Sequence, residues 1–153
     1  MKTLIIFLIS LSTFAQLSKD EQVTLSVNTE PNALLDGFNF GADLELQNKW
    51  FYVGVGTYQF PDLNNVGYQQ YTGQAGFNWR PDNNRFYVGG LAGVVIRKGN
   101  PNNITGFEFG YQYMFGKFGV GIESYYSIRE DAEFFYGDKY MWNTSVKIIY
   151  RIK

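Results

Sequence analysis

Residues 85–115 read RFYVGGLAGVVIRKGNPNNITGFEFGYQYMF. Between 85 and 97, one alternate set is Phe86, Val88, Gly90, Ala92, Val94 and Ile96. The other set begins at Arg85, ends at Arg97, and holds Tyr87, Leu91 and Val95 between them. Between 104 and 115, Thr105, Phe107, Phe109, Tyr111, Tyr113 and Phe115 alternate with Ile104, Gly106, Glu108, Gly110, Gln112 and Met114. Successive side chains of a strand point to opposite faces, so a period of two sustained this long marks strand and not helix. Both segments are long for a soluble sheet and suit tilted spans of a bilayer. The polar residues 98–103 are expected to be the loop that joins them.

The rest of the 153-residue chain repeats this pattern. Strands are expected at 23–27, 38–47, 50–60, 67–80, 118–128 and 140–152. With the two above they make eight, in one domain over residues 16–153. Residues 48–49, 81–84 and 116–117 are short enough for tight turns, and a two-residue turn at 48–49 would pair Gln47 with Trp50 and put Trp50 on the same, polar face. Residues 28–37, 61–66, 98–103 and 129–139 are longer. Short turns on one side and long loops on the other are the habit of membrane barrels. The fold class expected is therefore all-β, an eight-stranded antiparallel up-and-down transmembrane β-barrel.

Residues 1–15 have the order of an export signal: Lys2, an apolar run from Leu4 to Phe14, and a small-x-small ending at Thr13-Phe14-Ala15. The run is too short to cross a bilayer as a helix. Cleavage is expected after Ala15. Export without a long apolar helix leaves the periplasm, the outer membrane or the outside, and the strand pattern favours the bacterial outer membrane.

Alternation alone does not say which face is outside; packing does. The set holding Phe107, Val88 and Val146 carries no charge in any strand, while Asp43, Glu45, Arg80, Arg85, Arg97, Glu108, Glu123, Lys147 and Arg151 lie on the opposite face. An eight-stranded barrel is only just wide enough for its own side chains. The bulky apolar set does not fit inside. The other set has glycines, among them Gly41, Gly54, Gly76, Gly89 and Gly110, that leave room for Tyr52, Tyr58, Tyr87 and Tyr125. The glycine-and-charge face is therefore expected to be the lumen. Val55, Ala92 and Val146 fall at mid-height of the outer face, between bands that include Trp79, Phe86 and Phe118 at the turn end and Tyr126, Tyr140 and Trp142 at the loop end. Two aromatic girdles around an aliphatic belt match the two membrane interfaces.

Over residues 23–152 this pattern resembles that of the small eight-stranded outer-membrane barrels of the OmpA/OmpX type. The resemblance implies lipid as the surrounding partner. It also implies the outer-membrane assembly machinery as a second partner, which reads an aromatic near the chain end; here that residue is Tyr150. Some similar barrels are lipid-modifying enzymes or proteases whose sites use His with Ser or Asp. This chain has no His, so that chemistry carries over to no position.

Composition narrows the function further. Without Cys or His the chain lacks thiolate ligands, the commonest metal ligand and the commonest general base. A net charge of −1 offers no basic field to nucleic acid. Catalytic, metal and cofactor sites are all expected to be absent. Glu108 and Glu123 would suit an acid–base pair, yet ion pairing inside the barrel explains them as well. If 116–117 is a two-residue turn, Glu108 lies across from Tyr125 and Gly110 from Glu123. If residues 129–139 are centred on Phe134, Glu123 lies across from Ser145 and diagonal to Lys147, within reach of long side chains. A lumen network of Glu108, Glu123 and Lys147 is expected, with Arg85, Arg97 and Arg151 pairing other lumen groups. Glu130, Asp131, Glu133 and Asp138 lack the spacing of a calcium loop. In the same segment Phe134, Phe135 and Tyr136 are candidates for contact with a protein or surface partner, or for folding down on the rim. The role expected is a non-enzymatic barrel with a plugged lumen, structural or interactive through its loops. A narrow channel is the alternative, followed by a lipid-modifying enzyme and a soluble carrier.

Overall fold

The computed structural model describes residues 21–63 and 66–153. The expected export signal lies outside the described residues. Eight strands run β1 (Gln22–Thr29), β2 (Phe40–Gln47), β3 (Phe51–Phe60), β4 (Tyr68–Trp79), β5 (Asn84–Arg97), β6 (Asn100–Phe115), β7 (Phe118–Arg129) and β8 (Tyr140–Arg151). Each pairs antiparallel with the next, and β1 pairs with β8, so the sheet closes and leaves no open edge. A 3-10 helix, η1 (Pro31–Leu35), follows β1, and an α-helix, α1 (Glu130–Tyr136), follows β7.

The outer face is the apolar one. Val55 is 61% exposed, Phe77 63% and Ile148 68%, and the charged residues within the strands all lie on the opposite side. Aromatic pairs gather toward the two ends. Trp79 stacks on Phe86, and Phe118 meets Tyr150, at the turn end. Tyr126 contacts Phe107, Tyr140 and Trp142 toward the other end. Polar outward groups satisfy each other locally: the Ser124 and Thr144 hydroxyls are 2.9 Å apart across β7 and β8.

Inside, glycine makes the room that two tyrosines need. A Cβ on Gly110 would sit 2.4 Å from the Tyr87 ring, and one on Gly89 would sit 2.2 Å from the Tyr52 hydroxyl oxygen. The two rings meet edge to face across the centre, 5.5 Å apart.

Three connections differ from expectation. Gln47 pairs with Tyr52 and not with Trp50. The Asn48 side chain explains this. Its Oδ1 accepts from the backbone N–H of both Trp50 and Phe51, holding a longer turn closed. Trp50 accordingly sits in that turn, 56% exposed, and not in the lumen. Residues 98–103 are not a long loop. The ladder continues to Arg97 opposite Asn100, and Lys98-Gly99 alone makes the turn, both with positive φ (52° and 76°). Finally, residues 129–139 are largely helix. Three acids in the first turn of α1 favour its N-terminal end. Gly137, with φ 77°, closes its C-terminal end by donating to the Glu133 carbonyl.

Candidate functional site

The lumen face converges on four carboxylates and two cations. At the turn end Arg85 forms an ion pair with Glu45 at 2.6 Å and donates to Asn78 and Gln112. Its guanidinium also lies over the rings of Tyr87 and Tyr52, at 4.3 and 4.9 Å. In the middle, Lys147 Nζ donates to Glu123 Oε2 at 2.7 Å and contacts Asp43 Oδ2 at 3.1 Å. Tyr87 donates to the same Glu123 oxygen at 2.6 Å, and Ser26 and Asn28 donate to Asp43. Tyr52 donates to Glu108 Oε1 at 2.5 Å.

The sequence-level network therefore needs two corrections. The expected register is present: Glu108 faces Tyr125, Gly110 faces Glu123, and Glu123 faces Ser145. Glu123 and Lys147 meet. Glu108, however, takes its hydrogen bond from Tyr52 on β3, and its other oxygen has no hydrogen-bond partner. Tyr52 reaches it across the barrel over a glycine shelf. Arg151 is the second correction. It is half-buried near the turn end and makes no ion pair among the described residues. The cavity beside Glu108 and Glu123 measures about 20 Å³, and the one beside Arg85 and Arg151 about 10 Å³. The first has room for about one water.

The loop end is wider. A cavity of about 290 Å³ lies there, lined by Glu30, Tyr58, Tyr68, Tyr125, Arg129 and Tyr136 among others. Glu30 stands just beyond β1. It accepts hydrogen bonds from Tyr125 and from Asn143. No local signal in residues 28–37 marked this glutamate, because its partners come from β7 and β8. Burial pushes the Glu30 carboxyl above its ordinary range; the Tyr125 and Asn143 hydrogen bonds and the Arg129 charge oppose the rise without cancelling it. A carboxyl raised on folding binds more protons folded than unfolded. Its contribution is full below the ordinary carboxylate range and is lost as pH rises through the raised value. Glu30→Gln is therefore expected to flatten the fall in stability across that window. Denaturant titrations of both proteins at stepped pH check it; parallel curves would contradict it.

Beside this cavity, Arg129 grips Asp131 with two hydrogen bonds of 3.1 and 2.7 Å. Arg97 stands 3.7 Å from the same carboxylate. The three candidate contact aromatics part company on α1. Phe135 lies over the Arg97 guanidinium at 4.0 Å, Tyr136 lines the large cavity, and Phe134 is 81% exposed. Among the described residues no cluster of acids is placed to hold a metal ion.

No protein-family model matches the chain, and no curated protein matches it in sequence. Among solved structures, the chain is similar to the Yersinia pestis outer membrane protein Ail, determined in a phospholipid bilayer nanodisc. The two share 16% identity over 86% of this chain and 99% of that one, with a TM-score of 0.49.

Proposed function

We propose that this chain is a non-enzymatic outer-membrane barrel, closed to solutes, that acts through the surface at its loop end. The observation that carries the reading is the sorting of charge: an outer face without any charged strand residue surrounds an inner face that holds the charged ones, several of them in ion pairs. Such an outer face is stable in lipid and costly in water. In this reading residues 1–15 are the export signal and Tyr150 serves the assembly machinery. Arg85 pairs with Glu45 and Lys147 with Glu123 and Asp43 in the lumen, and the rings of Tyr52 and Tyr87 obstruct the path between the ends. Phe134, exposed on α1, is the first residue a partner would meet.

Two measurements test this. The mature chain is expected to fractionate with outer membrane and to resist carbonate and high-salt extraction; recovery in the soluble periplasm would contradict the location. In planar bilayers the purified protein is expected to give no stable conductance steps; regular steps would make it a narrow channel.

A further inference from the structure

Arg97 ends β5 with its side chain turned into the barrel mouth, 2% exposed. None of its three guanidinium nitrogens has a hydrogen-bond partner. The nearest carboxylate, Asp131, is 3.7 Å away and already held by both arms of Arg129. Phe135 covers one side of the guanidinium at 4.0 Å, and Tyr68 lies at 5.8 Å. Stacking holds the guanidinium plane but gives its N–H groups no acceptor. Buried donors left in this state are costly, and a charged one most of all.

Arg97 lines a cleft of about 310 Å³ between the β5–β6 turn and α1. Lys98, Asn100 and Asn102 line it from the turn, Phe134 from the helix, and Glu130 and Asp131 supply its acids. Arg97 and Lys98 balance the two carboxylates of the lining, Asp131 is already held by Arg129, and the least satisfied group is a planar fork of N–H donors. That fork matches two oxygens of a phosphate or a carboxylate.

We propose that this cleft binds an anionic group, a phosphate or a carboxylate, whose oxygens accept from Arg97 and whose charge is met by Lys98. This names the chemistry of the loop-end contact proposed above, and rests on that reading only for access from outside the cell. The test uses the intact mature protein, folded in neutral maltoside micelles without phosphate. Inorganic phosphate and acetate are titrated while the Arg97 side-chain N–H resonance is followed by NMR. Saturable binding of at least one is expected, with Arg97→Gln weakening it about tenfold or more, as the loss of a charge-assisted fork implies. Far-UV circular dichroism confirms that the variant is folded. Should it fail to fold, Glu130→Gln, an exposed position, keeps the question open to decision: losing that repulsion is expected to tighten binding about two- to threefold. Lipid nanodiscs distinguish the source of the anion. Competition between anionic lipid and free phosphate at Arg97 assigns the site to a headgroup, and undiminished phosphate binding assigns it to a soluble anion. Absence of saturable binding to either titrant would overturn the proposal. So would equal affinity in folded wild type and Arg97→Gln, or weaker binding in Glu130→Gln. Because binding is read on the purified barrel, these failures would leave the membrane location standing, and a soluble location would leave the site standing.

Discussion

Replacing Lys147 with Met is expected to destabilise the folded barrel by about 3–5 kcal/mol, the cost of leaving a buried charge without its partner. Lys147 is 2% exposed and stands between two carboxylates, Glu123 at 2.7 Å and Asp43 at 3.1 Å. Met fills much of the same space, so lost charge and not lost volume dominates. Asp43 keeps its donors Ser26 and Asn28, and Glu123 keeps Tyr87. Those bonds were made beside a cation and do not replace it. Neutralising Glu123 in the same chain removes one of the two stranded charges. Lys147→Met with Glu123→Gln should therefore cost less than the sum of the single changes, by about 1–2 kcal/mol. Equilibrium urea unfolding of the four proteins in the same vesicles measures the cycle. Additive effects, or a Lys147→Met cost below about 1 kcal/mol, would mean that the pair contributes little.

Arginine on the outer face gives the second large effect. At Val55, Ala92 or Val146 it should cost about 2–4 kcal/mol, falling to about 0–1 near either interface. Val55 and Val146 point outward, 61% and 43% exposed, and Ala92 is exposed at the centre of β5. Gln59 points outward near the loop end of β3 and serves as the interface control. The comparison isolates depth, because each site receives the same side chain on the same face. Equal tolerance at Val55 and Gln59 would place the wrong face in lipid.

The faces were legible in the sequence because parity survives an error of two residues. Gln47 meets Tyr52 where Trp50 was expected, yet Tyr52, Gly54 and Tyr58 remain on the inner side. An error of one would have turned the whole strand over. The β5–β6 hairpin was read too short because Asn100, Pro101, Asn102 and Asn103 carry loop chemistry, and proline demotes a strand. The Lys98-Gly99 turn carries the ladder through them. Helix α1 left two signals, its acidic first turn and Gly137, but seven residues show no apolar period, and its seat over Arg97 is tertiary.

The site divides along the same line. Glu123 and Lys147 lie on neighbouring strands, so counting back from two turns brings them together. Tyr52 and Glu108 lie 56 residues apart on strands that are not neighbours. Nothing in pairwise register joins β3 to β6. That contact exists because the sheet closes and because glycine lets the rings of Tyr52 and Tyr87 cross the centre.

The central claim is that the apolar face meets lipid, and the absence of Cys makes a direct test simple. A single Cys at Val55, carrying a nitroxide, is placed in the barrel refolded into bilayers. Its collision rates with oxygen and with a water-soluble nickel chelate are read by electron paramagnetic resonance. Ser145→Cys, on the lumen face, is the comparison site. High oxygen and low nickel accessibility at 55, with little of either at 145, is the result expected of a lipid-facing belt around a filled interior. Nickel accessibility at 55 equal to that of an aqueous site would contradict it.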